Sequence, residues 1–399
     1  MSRPPAEDDR LTIVLTLKGR HLMTLRWLWH ANRVRLPFRV IVADGEVHPT
    51  IARLIEDQAI FPNLHLQYCR YNDLTFSDFY GKFHDAVSRV TTPYVMMSDN
   101  DDFLFPSGIR ESLAFLERSP DYVCARGGIG HFETRRGIGQ HPNLTGRIRA
   151  LWHQQSRAYQ AYDLNDGRAS RRVIDAYNGF LTVYYNVYRI EVLRGITAEI
   201  MAANFTQLEN FELMWMLRAA MAGKLKSDPS YLSYLRQIGT SSNPSKKTDF
   251  VATVANEPYI REIQAITNAI AVEAATRGGT DPVEVKRDLD HISAERLRLK
   301  LVRLLGWRAT FKGWVRAHIP GALMRAFHVA AEQIRSGRSS AAGGRPVSRA
   351  EMFRRVSEAG ASQTLVDVQQ AELAEIETTL QGDDFLAFVQ RLASELLTS

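Results

Sequence analysis

Asp99, Asp101 and Asp102 fall within four residues, in Ser98-Asp99-Asn100-Asp101-Asp102, directly after the apolar run Tyr94-Val95-Met96-Met97. Such a run reads as a buried strand. Carboxylates this close repel one another, so holding them together at the end of a core strand costs stability unless something cationic meets them. Two readings compete. The cluster is either a solvated turn with an acid capping the next helix, or the seat of a hard divalent cation. Mg2+ or Mn2+ takes one or two carboxylates together with phosphate oxygens of a substrate, and such an ion stabilises a diphosphate as it leaves. The fully apolar strand before the cluster favours the second reading.

The elements that must position the cluster are legible on either side of it. LTIVLTL (11–17) is a β-branched apolar run that ends at Lys18-Gly19-Arg20. Residues 21–32 have helical spacing through Leu22, Leu25, Leu28 and Trp29; 38–45 form a second apolar strand ending in Asp44-Gly45. A helix over 49–58, a strand over 64–70 and a helix over 76–90, carrying Lys82, follow. Continuous apolar strands alternating with helices predict an α/β fold, a mostly parallel sheet with helices on both faces. Such sheets bind ligands beyond the carboxyl ends of their strands. Thr16, Lys18, Asp44 and Asp99–Asp102 are therefore expected to share one crevice.

From residue 121 the pattern shifts to strands over 121–133, 180–190 and 230–238 with a helix over 208–224, read as an antiparallel extension. The Gly/Ser/Asn/Pro-rich 239–249 reads as a loop, and a C-terminal helical region follows. The expected division is 1–245, 250–335, a flexible linker over 336–347 and an acidic helical tail over 348–399.

The 399 residues have ordinary globular composition and two cysteines, Cys69 and Cys124, both in apolar surroundings. That predicts buried thiols in a reducing, cytoplasmic setting, without a disulfide framework or cysteine-held metal. No apolar run is long enough for a membrane span, and the N-terminus carries no secretory pattern. The net charge of +6 conceals an asymmetry: residues 296–349 hold twelve Lys/Arg against one acid, Glu332, whereas 350–399 hold three Arg against nine acids. The rest is near neutral, which argues against a broad nucleic-acid-binding surface.

With these residues in view, the chain resembles family 2-like bacterial glycosyltransferases of the GT-A fold, the kind found in polysaccharide clusters. The resemblance covers roughly residues 10–240 and rests on LTLKGR, VADG, FYGKFHDAVSRVTTPYVMMSDNDDF and LENFEL, in that order. The third is the most specific, because helix, strand and Asp-x-Asp occur together. Haloacid-dehalogenase phosphatases share the Asp-x-Asp spacing but place it after the first strand. The resemblance implies a nucleotide-sugar donor, a divalent metal and a glycan or lipid-linked glycan acceptor. It implies Thr16 and Asp44 in the nucleoside pocket, with Lys18 on the donor side, and Asp99 at the ribose or a metal-bound water. Asp101 would ligate the metal, supported by Asp102. Arg20 and Lys82 are either donor contacts or solvated helix positions.

The family's Glu-Asp pair, whose acid removes the acceptor proton, reads Glu209-Asn210 here. An amide cannot be that base, so the role passes to Glu209 or Glu212, or lies elsewhere; both acids also suit an ordinary first helical turn. A further metal-ligating His found in many relatives has no counterpart between His153 and His291. Arg236-Gln237 falls where a mobile loop usually covers the donor. Tyr184–Arg189 (YYNVYR) suits either acceptor stacking or core packing.

The function classes that remain are an inverting, metal-dependent glycosyltransferase and a catalytically silent sugar-nucleotide or glycan-binding module. A nucleotidyltransferase is disfavoured because the first loop lacks a glycine-rich phosphate cradle. In 295–335, Leu297, Leu301, Leu304 and Leu305 share a helical face opposite Arg296, Lys300 and Arg303. This segment reads either as an interfacial helix on an anionic membrane surface, placing the protein peripherally at the inner face of the cytoplasmic membrane, or as a helix packed on the catalytic domain.

Overall fold

The computed structural model describes residues 8–46, 51–134, 144–153, 160–238, 257–301 and 346–398. In β1 (Leu11–Leu17) and β2 (Arg39–Asp44), alternate residues enter different cores: Val14, Ile41 and Ala43 one, Leu11, Ile13, Leu15, Val40 and Val42 the other. Period-two alternation between two apolar environments is what a sheet buried on both faces requires.

The remaining elements, in order, are α1 (His21–Arg33), α2 (Ala52–Glu56), β3 (Leu66–Arg70), α3 (Phe76–Ser88), β4 (Tyr94–Asp99), β5 (Phe103–Leu104), α4 (Pro106–Arg118), β6 (Tyr122–Thr134), β7 (Ile148–His153) and β8 (Tyr162–Leu164). Then come α5 (Ala169–Gly179), β9 (Val187–Arg189), α6 (Ile190–Ala203), α7 (Leu208–Ala222), β10 (Lys224–Gln237), α8 (Glu257–Gly278), α9 (Pro282–Leu301), α10 (Arg349–Glu358), α11 (Gln363–Gln381) and α12 (Asp383–Thr398). Among the described residues ten strands form one sheet, in the order β3-β2-β1-β4-β9-β6-β10-β5, with β7 on β6 and β8 on β10. β1 is parallel to β2 and β4, and β2 to β3. Helices α3 and α5–α9 contribute to the core on one face, and α1, α2, α4 and α12 to that on the other. The expected α/β fold with a C-terminal helical region is what forms.

Two expectations for the second half are corrected. The extension is mixed: β9 runs antiparallel to β4 and β6, yet β10 runs parallel to β6. The predicted strand over 180–190 contracts to β9, because Phe180 takes a left-handed conformation (φ 46°) and Tyr184–Asn186 form a turn.

The acidic C-terminal helices are built into the core. Met352, Phe353, Val356, Leu373, Ile376 and Leu380 pack with Phe103, Phe105, Phe132, Leu232 and Leu235. The Gln369 amide donates to the Leu232 carbonyl (2.8 Å) and accepts from the Leu232 N–H (3.0 Å), pairing with β10 as a strand would. Glu372 accepts from the Ser107 N–H and hydroxyl, and His30 Nδ1 lies 2.7 Å from Thr379 Oγ1. Residues 336–345 of the predicted linker and most of the basic segment, Leu304, Leu305 and Arg303 included, lie outside the described residues; Val347 at the linker's end is no free spacer, donating its N–H to the Leu151 carbonyl of β7 at 2.8 Å. Of its described start, Arg296 stacks on Phe180 at 3.8 Å and Tyr177 at 5.7 Å instead of standing in solvent.

Candidate functional site

The chain leaves β1 for β2 and β3 on one side, then crosses back to place β4 on the other. A crevice opens at such a switch point, beyond the carboxyl ends of the strands. Register sets what lines it: Thr16 of β1 lies beside Asp99 of β4, and Leu17 beside Asp44 of β2. Just beyond, oxygens of Asp99, Asp101 and Asp102 come within 4.8 Å of one another.

Each carboxylate of the turn has protein partners. Arg20 grips Asp101 with both arms of its guanidinium, Nη1 to Oδ2 at 2.8 Å and Nη2 to Oδ1 at 3.2 Å, and also donates to Asn100 Oδ1 at 2.7 Å. Asp102 accepts from the Gln237 N–H at 2.8 Å and pairs with Arg236 Nε at 3.4 Å. Asp99 accepts from the Tyr185 hydroxyl at 3.1 Å and the Tyr184 hydroxyl at 3.4 Å. Tyr184 Oη also lies 3.1 Å from Thr16 Oγ1. Beneath the turn, the buried Arg26 donates to the Asp101 carbonyl (3.0 Å), Gln237 Oε1 (2.9 Å) and the Leu144 carbonyl (2.7 Å). The repulsion that the sequence poses is thus met by three arginines, Arg20, Arg26 and Arg236.

Burial still dominates the acids' titration. It raises the Asp99 pKa, with Asp101's charge adding to the effect, and raises Asp102's well above the ordinary carboxylate range for the same two reasons. Burial lowers Arg26 to about 10 against the pull of Asp101 and Asp102. Three converging carboxylates are a hard oxygen donor set that suits Mg2+ or Mn2+. The three carboxylates therefore fit such an ion; here the Asp101 edge it would use is held by Arg20.

The β2–β3 side of the crevice is built on a buried ion pair. Thr75 and Asp78 form a reciprocal capping box that starts α3, and one turn later Lys82 Nζ reaches Asp73 Oδ2 and the Leu17 carbonyl. Both side chains are 2% exposed. Lys82 is therefore not a solvated helix position. Its ammonium braces the ends of β1 and β3, and a Cβ at Gly45 would fall 2.1 Å from Asp73 Oδ2, so glycine is needed there. Lys18 donates to the Asp73 carbonyl. Asp44 is buried, accepts from the Glu46 N–H and the Tyr68 hydroxyl at 2.9 Å each, and is raised in pKa chiefly by burial. Thr16, Lys18, Arg20, Asp44, Lys82 and the acidic turn all belong to this end of the sheet.

Glu209 keeps different company. It is half-buried at the start of α7 and bonded to the Tyr259 hydroxyl, with Tyr177 and Arg296 nearby. Glu212 lies on the exposed side of that helix. Asn210 is fully buried, and its Nδ2 donates to Glu262 Oε2 at 2.7 Å. The other oxygen, Glu262 Oε1, accepts from the Thr206 N–H and hydroxyl at 2.8 and 2.7 Å. The amide is thus a fastener between α7, α8 and the loop before α7.

Sequence reasoning missed Arg26, Asp73 and Tyr68, and left open Arg236, Tyr184 and Tyr185. Arg236 stands over the Tyr185 ring at 4.7 Å, so all three reach the acidic turn. A signal existed for Asp73: an acid just past a predicted strand end, beside other such acids.

No family model and no curated protein matches the chain. Among solved structures, the chain is similar to S. aureus TarS 1–349, and to the same protein in complex with UDP and with UDP-GlcNAc. Identity is 11%, the overlap covers 94% of this chain and 90–91% of those, and TM-scores are 0.43 to 0.45. A likeness that loose carries no residue correspondence.

Proposed function

We propose that the chain is a GT-A glycosyltransferase, its catalytic unit within residues 1–245, moving a hexosyl or pentosyl group from a nucleoside-diphosphate sugar to a glycan or lipid-linked glycan in bacterial surface polysaccharide synthesis. The observation that carries this is the convergence of Asp99, Asp101 and Asp102 at the sheet's switch point, in the sequence setting that resembles that family.

In this reading Thr16, Asp44 and Tyr68 surround the nucleoside, Asp44 accepting hydrogen bonds from base or ribose. Asp99, oriented by Tyr184 and Tyr185, meets the ribose. Asp101 and Asp102 hold the divalent ion, which when bound neutralises charge on the departing diphosphate. Arg20 and Arg236 supply positive charge along the same edge. Glu209, or Glu212, takes the acceptor's proton while the hydroxyl attacks the anomeric carbon in line, with inversion. Tyr259 holds Glu209 in place.

No helix among the described residues is long and apolar enough to cross a membrane. A cytoplasmic enzyme drawn peripherally to the membrane by the basic segment 296–349 would reach a lipid-linked acceptor. Asn210's structural engagement favours the second reading, a silent sugar-nucleotide or glycan-binding module. The glycosyltransferase and the sugar-nucleotide module both require nucleotide binding. Thermal unfolding against nucleoside diphosphates, with and without Mn2+, should show a raised melting temperature for a matching pair, lost in Asp101→Asn. No shift with any nucleotide would remove both of these; a shift without nucleotide release or transfer would leave the silent module.

A further inference from the structure

We propose that Arg20 is a displaceable internal counter-cation, so that the acidic turn accepts a divalent ion strongly only when a diphosphate arrives to take the guanidinium. The inference rests on the nucleotide-sugar reading above and adds to it an order of binding.

The geometry makes the two occupants exclusive. Arg20 Nη1 and Nη2 meet Asp101 Oδ2 and Oδ1 in parallel, the fork-to-fork pairing that uses the carboxylate edge a metal would coordinate. An arginine cannot release the edge by losing its proton. It must swing away, and it carries the same bidentate complementarity to phosphate as to carboxylate.

The three arginines differ in their freedom to do this. Arg26 is buried with three backbone and side-chain acceptors, two of them carbonyls. Arg236 is exposed to a similar degree (22%) but is packed over the Tyr185 ring, which limits its swing. Arg20, 27% exposed, holds Asp101 and Asn100 Oδ1. It also sits on an unusual backbone: Gly19 (φ 66°) and Arg20 (φ 54°) are consecutive left-handed residues at the start of α1. A non-glycine residue in that region is disfavoured unless the surroundings hold it there. Here it aims the side chain across the crevice, from the end of β1 to the turn after β4.

Linkage then follows. Metal alone must break the Arg20–Asp101 pair without replacing it. With a diphosphate present, the guanidinium gains a new anionic partner and the metal gains phosphate oxygens, so each ligand tightens the other.

The test uses the full chain, Mn2+ binding followed by the electron paramagnetic resonance of the free ion, and inorganic pyrophosphate as the diphosphate probe. Wild type should bind Mn2+ weakly alone and more tightly with pyrophosphate. Arg20→Met should bind Mn2+ alone roughly tenfold more tightly than wild type, as expected for removing one competing charge at a partly screened site, and pyrophosphate should help it less. Arg20→Lys keeps the charge without the fork and should fall between. Asp101→Asn should abolish Mn2+ binding in either background. Equal or weaker Mn2+ binding by both Arg20 variants, with melting temperatures showing them folded, would overturn the proposal. Donor turnover by wild type in that case would leave the glycosyltransferase reading standing; absent turnover despite Mn2+-pyrophosphate coupling would remove that reading alone.

Discussion

Asn210→Asp places at this position the acid that the sequence resemblance to family 2-like glycosyltransferases implies there, and the structure predicts that it damages the fold without creating a base. The amide is fully buried, and Nδ2 donates to Glu262 Oε2 at 2.7 Å. The substitution exchanges that donor for an oxygen facing a carboxylate. Two carboxylates at that distance cannot both stay ionised, so the folded variant takes up a proton that the unfolded chain does not hold. Protonating a carboxyl of ordinary pKa, about 3.9, costs about 4 kcal/mol at pH 7, and the shared proton returns one hydrogen bond.

The sign follows from that uptake. The pair's folded pKa is raised above its unfolded value, so the variant matches wild type below about pH 4 and falls behind as pH rises, by roughly 1.4 kcal/mol per unit, up to about 4 kcal/mol. Urea unfolding of both proteins from pH 4.5 to 8 measures the difference directly. Adding Glu262→Gln should recover most of the loss, since the new amide can donate to the new acid. A variant as stable as wild type at pH 8, or one with a deficit independent of pH, would refute the assignment of Asn210 as a fastener.

Three other outcomes follow from buried groups. Lys82→Met leaves Asp73 buried without its cation and should cost about 3–5 kcal/mol in urea unfolding, much of it regained by adding Asp73→Asn; a loss below about 1 kcal/mol would mean that the pair is solvated. Burial depresses His30 to about 3, so its share of stability is full above the ordinary value near 6.5 and is lost as pH falls; Asp99 and Asp102 are shifted the opposite way and offset part of the total. His30→Gln should therefore lose about 2 kcal/mol less than wild type between pH 7 and pH 5, and identical slopes would show that His30 titrates normally. Removing residues 346–398 uncovers Phe103, Phe105, Phe132, Leu232 and Leu235 and should abolish cooperative unfolding, whereas a truncated chain that still melts cooperatively would make these helices separable.

Local pattern carried the reading where neighbours in sequence are neighbours in space. The apolar alternation of LTIVLTL and the abrupt acids after Met97 were enough to place β1, β4 and the crevice between them. Charges near helix starts were not separable by pattern. Arg20 and Lys82 look alike in sequence, yet one reaches a carboxylate 81 positions away and the other pairs nine positions back, a spacing no helix face brings together. Tyr184 and Tyr185 read as strand alternation because the left-handed Phe180 that breaks the strand is not a glycine. The docking of α11 was hidden for a similar reason: its amphipathic face is visible, but Gln369 finds its partner, Leu232, 137 residues away.

The most direct test of the central claim is turnover: release of nucleoside diphosphate from a panel of nucleotide sugars by the full chain with Mn2+, read alongside Asp101→Asn and Glu209→Gln. We expect release with at least one donor, a loss of roughly a hundredfold or more in Asp101→Asn with its fold intact, and Glu209→Gln that still binds donor but no longer transfers to an acceptor. Release undiminished in Asp101→Asn would contradict that claim, because catalysis would then not depend on the acidic turn.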